Sequence, residues 1–212
     1  MTHLNIQQTL NMIIAVCDRV IESEPLLTEV DRQIGDGDHG IGMSEGMKKA
    51  KTALLEKASF ETVNEVFKLT GMTMLNSMGG ASGVIFGSLF LGGVKNLEPS
   101  STLDASGFRL LLRGALDAVK KRGKAEVGDK TMVDALEPAV LAMEASDTDN
   151  LVALLEVASE AAQEGVENSK KYVAKFGKAQ YLGERAVGHQ DAGATSVSII
   201  FKAMHDYLLS VA

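Results

Sequence analysis

Tryptophan is absent from these 212 residues, aromatic side chains make up only 5%, proline occurs three times and cysteine once. A core without aromatic bulk has to be filled by aliphatic side chains, and 45% hydrophobic residues with ten Met can fill it. So few prolines leave long stretches free to run as uninterrupted helix. The lone Cys17 excludes a disulfide framework within the chain and, in its apolar surroundings, reads as a small buried residue. No apolar run reaches the roughly eighteen residues needed to cross a membrane, and no signal peptide is visible, so a cytoplasmic protein is expected. Basic charge is also scarce: 21 Lys and Arg against 28 Asp and Glu leave a net charge of −7, which speaks against a nucleic-acid partner. The length suits one substantial core, and residues 1–212 are read as a single domain.

Helical periodicity dominates what is there. Leu10, Ile13, Ile14, Cys17, Val20 and Ile21 recur at three- and four-residue spacing, as do Phe108, Leu111, Leu112, Ala115 and Val119 later in the chain. The pattern predicts eight helices, at about 4–23, 39–55, 60–77, 84–91, 103–122, 130–145, 149–175 and 194–211, with no convincing strand. The expected fold is therefore all-α, an eight-helix antiparallel up-and-down bundle or barrel. In strict alternation the loops after the first, third, fifth and seventh helices fall at one end.

Those four loops carry the unusual residues. The first, Asp31-Arg-Gln-Ile-Gly-Asp-Gly-Asp-His-Gly40, brings three carboxylates together among glycines. Close carboxylates repel unless a cation joins them, so Asp31, Asp36 and Asp38 are candidate Mg²⁺ ligands. A solvated acidic loop capping the next helix explains the same residues, and the stretch alone leaves both readings open. The second loop, Gly79-Gly-Ala-Ser-Gly83, packs small residues before an apolar run, as an anion-binding helix start does and as plain close packing does. The third, Gly123-Lys-Ala-Glu-Val-Gly-Asp-Lys-Thr-Met132, approaches a Walker A sequence but inserts Asp129 and lacks a preceding strand. The fourth runs from Phe176 to Gly193 and concentrates Lys178, Arg185, His189 and Asp191. Gly35-Asp-Gly-Asp-His-Gly40 also spells a dinucleotide fingerprint without the required strand, and Met47 stands where an EF-hand needs Glu. Metal ligands, backbone N–H donors and cations at one mouth are the parts that phosphoryl transfer needs.

Taken in order, the stretches Gly35–Gly40, Gly79–Gly83, Arg122–Met132, Tyr181–Arg185 and Gly188–Asp191 resemble the nucleotide-binding L subunit of the dihydroxyacetone kinase family, across nearly the whole chain. The resemblance implies an eight-helix barrel holding ADP or ATP at one end. It implies two Mg²⁺ on Asp31, Asp36 and Asp38, phosphates held by His39, Gly40, Ile41, Gly42 and the Ala81-Ser82 turn, and base and ribose surrounded by Gly123, Gly128, Thr131 and Met132 with Asp191, Ala192 and Gly193. Lys178 and Arg185 are the candidate catalytic cations, with Lys178 also a nucleotide contact; Arg185 either neutralises transferring charge or braces Glu184. The partner it implies is a separate ketose-binding K subunit, with a phosphotransferase-system phosphocarrier of M type as phosphoryl donor in many bacteria, and a homodimer is left open. Two positions depart from the family pattern: Lys178 stands where Arg is common and Ala192 where Pro is common. Lys keeps the charge but not the bidentate fork, which leaves a four-carbon ketose such as erythrulose as an alternative to dihydroxyacetone. A nucleotide-binding regulatory module on the same scaffold is the reading from another class.

Overall fold

The computed structural model describes all 212 residues. It contains nine α-helices: α1 (Ile6–Glu22), α2 (Glu24–Ile34), α3 (His39–Glu56), α4 (Val63–Ser77), α5 (Gly80–Gly92), α6 (Ala105–Gly123), α7 (Val133–Ala145), α8 (Leu151–Ser169) and α9 (Ala192–Val211). Two 3₁₀ segments, Gly93–Asn96 and Lys178–Ala186, follow α5 and precede α9.

Eight of these helices close a ring. Each of α1, α3, α4, α5, α6, α7, α8 and α9 packs on the next, and α9 returns to α1. Because ring order is chain order, this is an up-and-down barrel, the arrangement expected from short links between helices of similar length. One continuous cluster of 47 buried hydrophobic residues fills it. Met12, Met43, Met47, Met74 and Met143 lie fully buried there, flexible thioethers occupying gaps that an aromatic-poor sequence leaves. No helix is long and apolar enough to cross a membrane.

The ninth helix was not anticipated. α1 ends where the Ser23 N–H turns back to Arg19 O and Val20 O, and Pro25 in the first turn of α2 starts a new helix. α2 lies outside the ring, against α3 and the start of α9. Its buried Leu27, Val30 and Ile34 carry the helical period, but over 11 residues the signal is short. Two further differences are local. α8 stops at Ser169 rather than near residue 175, and a small antiparallel ribbon pairs β1 (His3–Asn5) with β2 (Thr102–Asp104), Leu4 opposite Leu103. Both leucines are fully buried, so the ribbon is a plug over the end of the core.

Caps define several of the helix starts. Asn5 and Gln8 form a reciprocal capping box at α1, and Asp104, Asn150 and Asp191 accept backbone N–H bonds at α6, α8 and α9. Inside α7, Pro138 has no N–H to offer the carbonyl of Asp134, four residues back. That carbonyl instead lies against α8 at Gly165, where a Cβ would come within 2.1 Å of it. The two helices therefore meet backbone to backbone.

Candidate functional site

The helix ring brings four loops to one mouth around a cavity of about 720 Å³. Its wall takes residues from the segment after α2, from the start of α5, from the loop before α7, and from the segments on either side of the second 3₁₀ turn.

Asp31 sits in the last turn of α2, not in the loop, and its carboxylate is held from the loop side: Oδ2 accepts the Gly37 N–H at 2.8 Å and the His39 N–H at 3.3 Å. Gly35 permits this fold-over, since a Cβ there would stand 2.4 Å from Asp31 Oδ1. Asp36 and Asp38 are exposed, and one carboxylate oxygen from each of the three lies within 4.8 Å of the others. The Lys178 ammonium pairs with both Asp36 and Asp38, the latter at 3.4 Å. Three oxygen donors at this spacing are the set a hard divalent ion takes, and the lysine shows that the cluster accepts a cation. The residues present fit Mg²⁺.

Around the trio, the first turns of α3 and α5 open onto the cavity through His39, Ile41, Gly42, Ala81 and Ser82. The His39 N–H is taken by Asp31 Oδ2 and the Gly42 N–H by Asp38 O, but the remaining first-turn N–H groups and the helix dipoles suit phosphate oxygens. His39 itself is not a fixed cation: burial holds its imidazole below the usual range, and Nε2 lies 2.8 Å from Ser196 Oγ.

Opposite stand Thr131, Met132, Asp191, Ala192 and Gly193, together with Lys178. The extra residue of the near-Walker sequence has a structural task, because Asp129 closes the loop by accepting the Glu126 N–H at 2.8 Å and pairing with Lys175 at 2.6 Å. Asp134 completes it, its two oxygens taking the N–H groups of Gly128 and Thr131, both at 2.6 Å. Beside this loop an apolar recess of about 400 Å³, lined by Val84, Ile85, Val119, Met132 and Val133, joins the main cavity.

Four of the sequence candidates stand off the main cavity. Gly40 is buried beneath the trio against α2. Gly123 faces the apolar recess. Gly128 faces Asp134, and the exposed Arg185 reaches only Leu182 O, at 3.4 Å. Conversely, the cavity includes residues that sequence did not single out: Met78, Ile85, Phe86, Phe176 and the buried Lys130. The apolar ones were legible only as core periodicity, and nothing in Asp129-Lys130-Thr131 announces that the lysine points inward.

Asp191 leads to a prediction about pH. Burial, reinforced by the Asp134 carboxylate and opposed by the Ala194 N–H, pushes its carboxyl up to about 7. The unfolded chain holds an aspartate near 3.9, so the fold favours the protonated acid. Below about pH 4 it imposes no penalty; the penalty grows as pH rises to 7 and is complete above that, amounting to at most about 4 kcal/mol. Asp191→Asn keeps an oxygen for the helix cap and cannot ionise. Urea denaturation from pH 4 to 8 should show the native protein losing stability relative to this variant as pH rises; parallel curves would refute the assignment.

Comparison with known proteins agrees with this geometry. Residues 33–206 match the model of the DAK2 domain. The chain is 43% identical over 188 residues to the ADP-binding subunit DhaL of the PEP-dependent dihydroxyacetone kinase 1 of Listeria innocua, covering 88% of this chain and 89% of the relative. The corresponding Escherichia coli subunit is 40% identical over 185 residues, 86% and 87% of the two chains. Among solved structures, the C. freundii dihydroxyacetone kinase in complex with AMP-PNP and Mg²⁺ superimposes with a TM-score of 0.72 at 26% identity, over 93% of this chain. The chain spans only 33% of that longer kinase. An all-α ring, a carboxylate trio at its mouth and a match over most of its length all agree: this chain belongs to the DAK2-domain family, the family of the ADP-binding subunits of dihydroxyacetone kinases.

Proposed function

We propose that this chain is the Mg-nucleotide phosphotransfer subunit of a ketose kinase, with ADP as the resident nucleotide and dihydroxyacetone as the ketose. The observation that carries this is the meeting, at one mouth, of the carboxylate trio, two open helix N-termini and an apolar recess, in a chain 43% identical to an ADP-binding subunit. Residues 1–212 act as one nucleotide-binding domain, in the cytoplasm.

In this reading the base enters the recess beside Val84 and Met132, the ribose lies at its junction with the main cavity near Thr131 and Asp191, and the phosphates meet the first turns of α3 and α5. Asp31, Asp36 and Asp38 would hold two Mg²⁺, which neutralise and orient phosphoryl oxygens when bound. Lys178 would exchange its carboxylate partners for phosphate oxygens, and Arg185 would lend its charge to the transferring group.

The ketose is assigned to a separate K subunit, because the relatives are named as the ADP-binding subunits of their kinases. Names of relatives such as "PEP-dependent" support a phosphotransferase-system carrier of M type as donor. Relatives named as erythrulose kinases are less similar, at 31% and 32% identity, which favours the three-carbon ketose.

The test is to purify the protein without added nucleotide, denature it, and analyse what is released by mass spectrometry and metal analysis. Stoichiometric ADP with Mg²⁺ is expected. A protein that carries no nucleotide and binds neither ADP nor ATP at any Mg²⁺ concentration would overturn the proposal.

A further inference from the structure

The Lys130 side chain is 1% exposed and is among the largest fully buried side chains in the protein. Burying an ammonium is costly unless it is well paired. Its backbone, at φ 61°, also lies in the left-handed region that a residue with a Cβ disfavours. Strain and desolvation combined at one residue of a cavity wall indicate a functional constraint.

Its contacts indicate which one. Nζ donates to the carbonyl of Ser169, the last residue of α8, at 2.7 Å, and to the carbonyl of His189, just before α9. Ser169 Oγ in turn accepts the Asp191 N–H at 3.0 Å. The Asp134 and Asp191 carboxylates lie near enough to act on the ammonium through charge. One side chain thus joins the loop before α7, the end of α8 and the start of α9. The join is tight: a Cβ on Gly193 would stand 3.2 Å from Met132 Cβ. Two of the three ammonium hydrogens are used by these carbonyls, and the residue lines the cavity.

We infer that Lys130 is a positioning residue for the nucleoside half of the ligand, riveting Thr131-Met132 to Asp191–Gly193 so that the junction between cavity and recess keeps the width of a ribose. The inference rests on the nucleotide reading proposed above. It differs from the role of the acidic trio, which acts at the phosphate end, and so it predicts a split between ligands.

The experiment is isothermal titration of Lys130→Met and the native protein, each stripped of bound nucleotide, with ADP and with pyrophosphate, both in excess Mg²⁺. Met keeps the length of the side chain and loses its charge and donors. ADP affinity should fall about ten-fold or more, the scale of a lost buried charged hydrogen bond, while pyrophosphate affinity stays within about two-fold of native because the phosphate end is untouched. Equal losses for the two ligands, or no loss for ADP, would overturn the inference while leaving the nucleotide reading in place. Failure of the native protein to bind ADP would overturn both. If Lys130→Met does not fold, Lys130→Arg carries the same test: its guanidinium keeps the charge but does not fit between the two carbonyls, so a several-fold loss confined to ADP is expected, and native ADP affinity would overturn the inference.

Discussion

Replacing Asp36 and Asp38 together by Asn should lower Mg-ADP affinity by at least a hundred-fold, about 3 kcal/mol, with helical content unchanged. The substitution keeps size and one oxygen at each position and removes two charges from a trio whose oxygens lie within 4.8 Å. Asp31 cannot compensate alone: its Oδ2 already accepts two backbone N–H groups, which leaves Oδ1 and a single carboxylate charge for the metal. Folding should not suffer. Both residues are exposed, and their only strong side-chain partner is the half-exposed Lys178, a kind of surface pair that contributes little. Without nucleotide the double variant should melt at or slightly above the native temperature, since mutual repulsion among the carboxylates is relieved. Titration with Mg-ADP and circular dichroism check the two halves of this expectation; affinity within about three-fold of native would refute the metal assignment.

The second large effect is expected from a single methyl group. At Gly40 a Cβ would stand 2.3 Å from Thr28 Oγ1 and 2.5 Å from both Glu24 O and Thr28 N. Two of those three atoms are backbone of α2, so no rotamer change clears the space. Either α3 shifts at its first turn or α2 is pushed off the ring, at a cost of about 3 kcal/mol by analogy with overpacked cores. Shortening Thr28 would remove only the hydroxyl contact, so Thr28→Ala should rescue Gly40→Ala poorly. The same shift displaces Asp38 and the N–H groups of α3, so nucleotide affinity should fall with stability. Gly42→Ala is the control. Nothing stands within 4 Å of a Cβ there, and its melting temperature should equal or exceed that of the native protein, since Ala is the better helix former. If Gly40→Ala matches it too, the close crossing of α2 and α3 is wrong.

Gly40 also shows where sequence reading stops. The resemblance set it among the phosphate contacts, yet its lack of a side chain is spent on packing α2 beneath the site. Most ring helices were legible because each has to bury one face over three turns or more, which leaves a period of 3.6 in the apolar residues; α5 was legible only as a continuous apolar run. The clustering of four loops followed from counting those helices. The count survives the discovery of α2 because α2 lies outside the ring and leaves its alternation intact. Burial of a charged residue has no such signature. Lys130 and Lys178 read alike in a sequence, but one is buried in the wall of the cavity and the other is exposed at its mouth, paired with Asp36 and Asp38. What separates them is the approach of chain segments some 40 to 60 residues apart in sequence, through Ser169 and His189, and local pattern carries no information about that approach.

The order of helices around the ring also governs which part of the cavity depends on long-range closure. Contacts between successive helices form between neighbours in the chain, which favours rapid, progressive assembly. Among the junctions of the ring, the one that joins helices far apart in sequence is the seam where α9 (Ala192–Val211) meets α1 (Ile6–Glu22). That seam is the longest-range junction of the ring, and the segment it brings in carries Asp191, Ala192 and Gly193. The acidic trio comes from one short stretch of chain, whereas the opposite wall of its cavity depends on this long-range junction. Opening the ring at this seam would therefore remove one wall of the cavity while leaving the loop that carries the trio intact.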